Sequence, residues 1–390
     1  MGNQISAQYY PFGSTAVYFG GTLPLDAAMA SPPPVTPPNA TNGGILSAVD
    51  PHLLLPYTLE WNVALEQAFG NEQALTASYI GAAGRRLLQS AFLSSPNPNF
   101  GETQLLANAG TSDYDALQLQ FHRRFSQGIE AFASYTWAHS IDTASAGSNF
   151  IASNILLPGI SPRANRGPSD FDIRNAFSVG ATYDIPSPKM GGIASTILRG
   201  WSLQNVVQAR SASPVDVSDV GFFEFNSGFN ADVRPDLVPR QPLYVSGPQC
   251  TQVFGALCPG GKGFNPAAFT DPPVDPVTGN PLRQGNTPRN FLRGFGAIQW
   301  DLAIHRDFPI HELVKLQIRA EFFNVLNHPN FGQPNGQYLS PAFGGPAGFG
   351  ISTETLAQSL NGDNLGAGAF NPLYQIGGPR SVQLALKLMF

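Results

Sequence analysis

The sequence predicts an all-β fold, namely an antiparallel transmembrane β-barrel of about ten strands with long extracellular loops. Three observations predict this fold. Charged residues make up only 12% of the 390 positions, about half of their usual share in a soluble domain. Polar and apolar side chains alternate along nine segments, and short and long connections alternate between these segments.

The composition excludes several other classes of protein. No run of about 18 apolar residues occurs, so the sequence predicts no transmembrane helix. The net charge of −5 argues against a nucleic-acid partner. The 28 Phe residues argue against disorder, because disordered chains are poor in aromatic residues. The first residues, MGNQISAQYY, lack the regions of a signal peptide, and we expect the export signal to lie upstream of them.

Alternation is clearest in four segments, which are 59–69, 117–125, 314–322 and 381–390. In the third of these, Leu316 and Ile318 fall on one face while Lys315 and Gln317 fall on the other. Weaker alternation extends over 73–81, 129–138, 172–184, 199–210 and 298–308. A period of two places successive side chains on opposite faces of a strand, as expected for a wall between lipid and water.

The connections favour a membrane barrel over a soluble sandwich, whose strands would also alternate. Short turns at 70–72, at 126–128 and near Pro309 alternate with long connections. The long connections are 82–113, 139–171, 211–297 and 327–377, while 185–198 is a medium turn in a short position. Outer-membrane barrels combine short periplasmic turns with long extracellular loops, whereas compact soluble domains rarely carry several structureless loops of this length.

This scheme divides the chain into two regions. Residues 57–390 hold nine strands and are expected to be the C-terminal part of an outer-membrane β-barrel. Single-chain bacterial barrels have an even number of strands. We therefore expect residues 1–56 to supply a further strand, at 4–10 or 15–19, and then a Pro-rich extracellular loop at 31–44.

The last strand carries a candidate signal for barrel assembly. Its apolar residues occupy every second position and end on an aromatic residue, in the order Val382, Leu384, Leu386, Leu388 and Phe390. This pattern resembles the terminal signal that barrel-assembly machinery recognises, and an ordinary last strand of a soluble sheet is the alternative. We expect this machinery and outer-membrane lipid to be partners of the chain.

Charged residues opposite the apolar stripes are candidates for the barrel lumen, because charge is costly against lipid but not in the lumen. These candidates are Arg124, Arg174, Lys315, Arg319 and Glu321. We expect most of them to be solvated or paired wall positions, and a minority to contact a plug or a solute.

Two features lie in the longest Gly- and Pro-rich connection. Cys250 and Cys258 are a candidate disulfide of an oxidising compartment, and a metal or redox site is the weaker interpretation. Asp271, Asp275 and Asn280 could bind calcium weakly, but their spacing does not fit an EF-hand, so a solvated loop is the better interpretation.

The sequence predicts no enzyme and no cofactor. His139, Ser140 and Asp142 are close along the chain, but a catalytic triad is a spatial arrangement and proximity along one strand does not predict it.

Three blocks of the sequence carry a resemblance to a known family. The first block is 114–120 with 135–142, the second is 166–177, and the third combines 289–294, 300–302 and 319–332. Together they resemble TonB-dependent outer-membrane receptors of the Oar-like type, and the resemblance covers most of 57–390.

The resemblance implies a barrel of about 22 strands that encloses a plug. It also implies a carboxypeptidase-regulatory-like domain before the plug, and an N-terminal box through which an inner-membrane TonB complex supplies energy. We expect the chain to provide about the last ten strands of such a barrel. The missing plug and N-terminal half of the same receptor would then be partners, and the TonB complex would act only through that missing part.

Three hypotheses follow for the function. The first is the wall of a TonB-dependent receptor that takes up or binds a bulky solute. The second is a self-contained small barrel that acts as a porin or an adhesin. The third is a secreted enzyme or a lectin-like β-sandwich.

Overall fold

The structure is a computed structural model, and it confirms an all-β chain built around one large antiparallel sheet. It describes residues 10–14, 27–40, 44–145, 155–156, 161–186, 199–222, 233–311, 314–345, 348–359 and 377–389. The first strands are β1 (Ile45–Val49), β2 (Tyr57–Phe69), β3 (Gln73–Asn97), β4 (Phe100–Ser126), β5 (Ile129–Asp142), β6 (Ile155–Leu156), β7 (Gly167–Pro168), β8 (Asn175–Asp184) and β9 (Trp201–Arg210). The remaining strands are β10 (Pro214–Val215), β11 (Ser218–Asp219), β12 (Asp236–Leu237), β13 (Tyr244–Ser246), β14 (Lys262–Phe264), β15 (Phe269–Thr270), β16 (Leu292–Arg293), β17 (Ala297–His311), β18 (Val314–Phe323), β19 (Gln337–Tyr338) and β20 (Ser381–Met389).

Helices are few and short within the described residues. The α-helices are Ala27–Ala30, Pro248–Phe254 and Leu356–Ser359, and the 3₁₀ helices are Pro259–Gly261, Pro266–Ala268 and Pro341–Phe343. None of the described helices has the length and hydropathy needed to span a membrane.

Nine long strands form a continuous wall in the order β2-β3-β4-β5-β8-β9-β17-β18-β20, and all nine correspond to the segments predicted from alternation. Each neighbouring pair is antiparallel. The register keeps like side chains on one face. For example, Tyr79 on β3 is opposite Leu117 on β4, which is opposite Trp137 on β5.

The wall therefore has one apolar and one polar face. Large apolar side chains project from the apolar face and remain exposed, with Leu65 at 75% and Leu384 at 78% of their full accessibility. This apolar face includes Leu59, Trp61, Val63, Leu75, Tyr79, Leu117, Trp137, Phe177, Ile298, Ile318, Val382, Leu386 and Leu388. A contiguous exposed apolar surface of this width is characteristic of a membrane or an interaction surface rather than of a water-exposed wall.

One predicted loop is instead an extension of two strands. Residues 82–113 were expected to form an extracellular loop, but β3 and β4 continue through most of them and turn at Pro98–Asn99. The 25 residues of β3 exceed the roughly 9–11 residues that cross a bilayer, so this hairpin projects beyond the other strands. The short strands β1 and β6 pair in parallel with its outer part.

The two longest connections were also expected to be structureless, and the structure corrects this expectation. Described residues of 211–296 and 324–359 pack together, and we call this unit the loop domain. Its small sheets are β10–β16, β11–β19, β12–β15 and β13–β14. Its core consists of Val215, Val217, Phe264, Ala268, Phe269, Leu292, Tyr338 and Phe349. Aromatic side chains distant in sequence meet here, since the Phe269 and Phe349 rings lie 5.4 Å apart.

The wall is not closed within the described residues. Neither β2 nor β20 has a second neighbouring strand there, and the two do not pair with each other. The segments predicted for a tenth strand, 4–10 and 15–19, lie outside the described residues except for Tyr10, which forms a parallel bridge with Leu46.

Candidate functional site

A cluster of charged and polar residues, with Asp142, Asp172 and Arg289 buried at its centre, joins the loop domain to the end of the wall that carries the long connections. We call it the junction, and it consists of His139, Asp142, Ser145, Asp170, Asp172, Arg174, Arg289, Asn290 and Arg293. Its members come from three stretches of chain, which are the end of β5, the segment before β8, and the segment before β17.

Arg289 lies at the centre of one half of the junction. Its guanidinium pairs with the carboxylate of Asp142, and both side chains are almost fully buried, with 3% and 4% exposed. It also donates hydrogen bonds of 2.8 Å to the Ser145 hydroxyl and 3.2 Å to Asp170. Several hydrogen bonds to one buried cation compensate for its removal from water.

Asp172 lies at the centre of the other half. Arg293 and Arg174 donate to one of its carboxylate oxygens over 2.5 and 2.8 Å, and His139 Nδ1 is 3.1 Å from the other oxygen. Burial alone would raise the pKa of Asp172, but the backbone N–H of Ser140 and these side chains together hold it below its usual value. Asp172 is therefore a buried anion, stabilised by donors.

Close backbone approach completes the junction. The side-chain amide of Asn290 donates to the carbonyl of Pro168 over 2.9 Å and to Asp170 over 2.7 Å. A Cβ added at Gly167 would lie 2.8 Å from the carbonyl oxygen of Arg289. Only glycine fits at this crossing without a shift of one of the two segments.

The structure does not bring His139, Ser140 and Asp142 together as a triad. The Ser140 hydroxyl bonds to the Ser169 hydroxyl at 2.8 Å, His139 faces Asp172, and Asp142 pairs with Arg289. All three residues have contacts that hold the junction together. A catalytic triad would need the hydroxyl and the imidazole to be hydrogen-bonded to each other.

Of the five residues predicted to face the lumen, four lie on the polar face of the wall and one lies in the junction. Arg124, Lys315, Arg319 and Glu321 lie on the polar face by register, and the last two form an ion pair of 2.7 Å. Arg174 precedes β8 and belongs to the junction. The roles of Asp170, Asp172, Arg289 and Arg293 were not predicted, although all four lie in the blocks that carry the family resemblance.

An open cavity of about 250 Å³ lies between the polar face of the wall and the loop-side segments around Asn330 and Gly377. Polar side chains of Thr136, Gln208 and Arg210 line it. Within the described residues, the half-buried guanidinium of Arg210 has neither a hydrogen-bond nor an ion-pair partner. This cavity therefore offers a positive charge to an anionic or hydrogen-bonding group.

Two other predicted features have clear positions. Cys250 and Cys258 form a disulfide inside the loop domain, where they pack with Val245 and Phe254. The apolar residues of the proposed assembly signal project from the apolar face, with Leu386 70% exposed. Phe390, the last residue of that signal, lies outside the described residues.

Comparison with solved structures finds similar chains among transporters and receptors. The outer membrane transporter YddB of Escherichia coli is 12% identical, with 91% of this chain and 35% of that chain covered and a TM-score of 0.47. The siderophore receptor PiuA of Acinetobacter baumannii is 10% identical, with 85% and 28% covered and a TM-score of 0.38. BauA, the ferric preacinetobactin receptor of Acinetobacter baumannii, is 11% identical, with 85% and 29% covered and a TM-score of 0.39. The chain spans about a third of the length of these proteins.

No curated protein matches the sequence significantly. The family model described as "Outer membrane beta barrel domain" matches residues 1–361, which is most of the chain and includes eight of the nine wall strands and the whole junction. The chain thus belongs to the outer-membrane β-barrel domain family, and its location is the bacterial outer membrane.

Proposed function

We propose that the chain forms the C-terminal part of the barrel wall of a TonB-dependent receptor of the Oar-like type. In this role it takes up or binds a bulky solute at the cell surface and does not act as an enzyme. The plug and the N-terminal half of the same receptor are its partners, and the TonB complex acts through that half.

The observation that carries this proposal is a two-faced wall whose two outer edges have no neighbouring strand within the described residues. The unpaired N–H and C=O groups of a sheet edge cannot face hydrocarbon, because no water is present there to bind them. The outer edges of β2 and β20 therefore need further strands within the membrane. The remaining strands of a larger barrel would supply them.

The contents of the polar face support binding of a plug or a solute. The cavity beside Arg210 opens toward the lumen side of the wall and holds a guanidinium without a partner in the described chain. The loop domain stands above it on the extracellular side, where a ligand arrives first. A rigid loop domain is better suited to selective capture than structureless loops, because less conformational entropy is lost on binding.

The alternative is a self-contained small barrel that acts as a porin or an adhesin. The count of strands favours it, since the nine wall strands of the described residues and the one strand predicted near the N-terminus would together give the even number found in bacterial barrels. The bridge between Tyr10 and Leu46 places Tyr10 near the projecting hairpin, with which β1 pairs.

Closure of the chain alone distinguishes the two proposals. We expect the purified chain, refolded in detergent, to migrate identically on electrophoresis with and without heating, since a wall with two open edges does not seal. In planar bilayers it should give no discrete conductance steps. A heat-sensitive compact form that conducts in uniform steps would establish the small barrel and overturn the receptor-wall proposal.

A further inference from the structure

Two carboxyl groups of the loop domain face each other inside the protein. Asp219 lies within hydrogen-bonding reach of Asp271, and Asp219 is only 1% exposed. Oδ2 of Asp219 and Oδ1 of Asp271 are both buried, and neither has a hydrogen-bond partner in the part of the chain that the structure describes. Two carboxylate oxygens within hydrogen-bonding reach of each other are both acceptors, so a proton or a cation must lie between them.

The other oxygen of each carboxylate is already engaged, which fixes both side chains. The backbone N–H of Gly221 donates to Asp219 Oδ1 over 3.1 Å, and the Ser340 hydroxyl donates to Asp271 Oδ2 over 2.8 Å. Among the described residues, no Arg, Lys or His forms an ion pair with either carboxylate. The free oxygens are thus held toward each other without a compensating positive charge.

The surroundings show the same excess of negative charge. Burial raises the pKa of Asp219 to about 7, and the negative charge of Asp271 and its side-chain contact with Asp219 act in the same direction. The hydrogen bond from the Gly221 N–H opposes this shift. Burial and then the charges of Asp271 and Asp219 raise the pKa of the neighbouring Tyr338 to about 12. The Tyr338 hydroxyl donates to the carbonyl of Phe269 over 3.1 Å and is not a donor to the pair.

The pair lies where three separate segments of the loop domain meet. Asp219 ends β11, which pairs in parallel with β19, and Asp271 follows β15. Ser340 follows β19 and belongs to the third segment, from which its hydroxyl donates to Asp271. An ion bound between the two carboxylates would hold these segments together.

We propose that Asp219 and Asp271 bind a hard divalent cation of the Ca²⁺ type, and that this ion locks the loop domain. Carboxylate and carbonyl oxygens are the ligands that Ca²⁺ prefers, and it tolerates irregular geometry with several waters. The Ser340 hydroxyl and water would complete the ligand set. This inference concerns the stability of the loop domain and does not depend on the proposed solute.

The ion and the proton compete for the same two carboxylate oxygens. The stabilisation by Ca²⁺ should therefore increase as the pH rises. Without the ion, a raised pKa means that the folded protein loses stability as the pH rises from about 4 toward 7. With Ca²⁺ present, this loss should disappear. We expect saturating Ca²⁺ to raise the unfolding midpoint of the loop domain by about 5 °C or more at pH 8, and to have little effect at pH 5.

The experiment uses the full chain in detergent, with unfolding of the loop domain followed by near-ultraviolet circular dichroism in Ca²⁺ or in EGTA. Tb³⁺ provides a second readout, because Tyr338 beside the pair can sensitise its luminescence. D219N and D271N should each abolish the Ca²⁺ shift and the Tb³⁺ signal. E354Q is the matched control, since Glu354 is an exposed carboxylate of the same domain and its loss should leave both readouts unchanged.

The outcomes separate the cation from a shared proton. Greater stability at pH 5 than at pH 8, with no effect of Ca²⁺ on the wild type, would show that a proton alone occupies the pair and would overturn the proposal. An equal Ca²⁺ shift in D219N and the wild type would also overturn it. The effect of Ca²⁺ on the unfolding of the wild type at pH 5 and at pH 8 remains decisive if either variant fails to fold.

Discussion

At the scale of single residues, Arg289 connects the wall to the loop domain. Its side chain is 3% exposed and contacts Asp142, Ser145 and Asp170. An Ala at this position would leave the buried Asp142 carboxylate without its partner. We expect R289A to lower the free energy of unfolding of the loop domain by about 3–5 kcal/mol, measured by denaturant titration with near-ultraviolet circular dichroism.

Arg283 offers a matched control for this substitution. It pairs with Asp236 over 2.7 Å in the same loop domain, but its side chain is 50% exposed. Exposed ion pairs contribute at most about 1 kcal/mol, and R283A should therefore have a small effect. Similar losses in both variants would show that the burial of the Arg289 pair has no special importance.

Asp172 gives the junction a defined dependence on pH. Its pKa is lowered in the folded protein, so the ionised carboxylate stabilises the fold at any pH well above its unfolded value of about 4. This contribution is lost as the pH falls through the lower, folded-state pKa. We expect the stability difference between the wild type and D172N to be fully present at pH values well above about 4 and to decrease as the pH falls below that value.

That difference is measured by unfolding both proteins over a series of pH values. Asp307, a wall carboxylate that accepts a hydrogen bond from Gln317, serves as the control position because it lies far from the junction. A D172N difference that already decays between pH 8 and pH 6 would show that the carboxylate is not held as a buried anion.

At the scale of elements, the register of the wall predicts which side chains contact lipid. Leu316 on β18 is opposite Leu388 on β20, and the neighbouring pair, Gln317 and Lys387, lies on the other face. We expect single Cys substitutions at Leu119, Leu316 and Leu386 to react with a bilayer-confined probe in the membrane-inserted protein. Cys at Gln120, Gln317 and Gln383, on the opposite face of the same strands, should react only with a water-soluble reagent.

The Gln positions are the control, because each lies an odd number of residues from its Leu on the same strand and therefore on the opposite face. Labelling of the Gln positions by the lipid probe, with the Leu positions unlabelled, would reverse the assignment of faces. Equal labelling of both sets would show that these strands are not embedded in a bilayer.

The strands of the wall could be predicted from the sequence because their side chains alternate with a period of two. The structure places β18 at Val314–Phe323, where alternation predicted 314–322. The outer parts of β3 and β4 could not be predicted. Gly81-Ala82-Ala83-Gly84 are small on both faces, and the pairs Arg85-Arg86 and Leu87-Leu88 place like residues next to each other, so no period of two marks this stretch as strand.

The junction and the core of the loop domain lay beyond prediction for another reason. Arg289 and Asp142 are 147 residues apart in sequence. A local pattern of residues cannot indicate a contact between positions so far apart. Phe264, Phe269 and Phe349 likewise occupy irregular backbone, where burial depends on the tertiary fold and not on a repeat. The family resemblance marked the charged blocks but gave no partner for any residue in them.

At the scale of the whole molecule, the wall and the loop domain are bodies with separate sources of stability. The wall depends on strand pairing and on lipid, whereas the loop domain has its own aromatic core and the Cys250–Cys258 disulfide. Replacing both Cys residues with Ser should cost the loop domain about 2–3 kcal/mol by the chain-entropy estimate for so short a loop. The wall should be unaffected.

Limited proteolysis in detergent tests this independence. In the double Cys→Ser variant, cleavage within 211–296 should become faster, while the fragments of β2 to β5 should be as resistant as in the wild type. Reduction of the wild-type protein with dithiothreitol should reproduce the effect. A simultaneous loss of resistance in both regions would show that they unfold as one unit.

The path of the chain through the wall has a consequence for biogenesis. β17 and β18 are joined so closely that His311 pairs with Val314, whereas Arg210 and Ala297 become neighbours only after residues 211–296 have been accommodated. The entropic cost of closing a loop increases with its length, so local hairpins should zip before this long-range pairing. During insertion, β9 and β17 would therefore pair late, after residues 211–296 between them have folded.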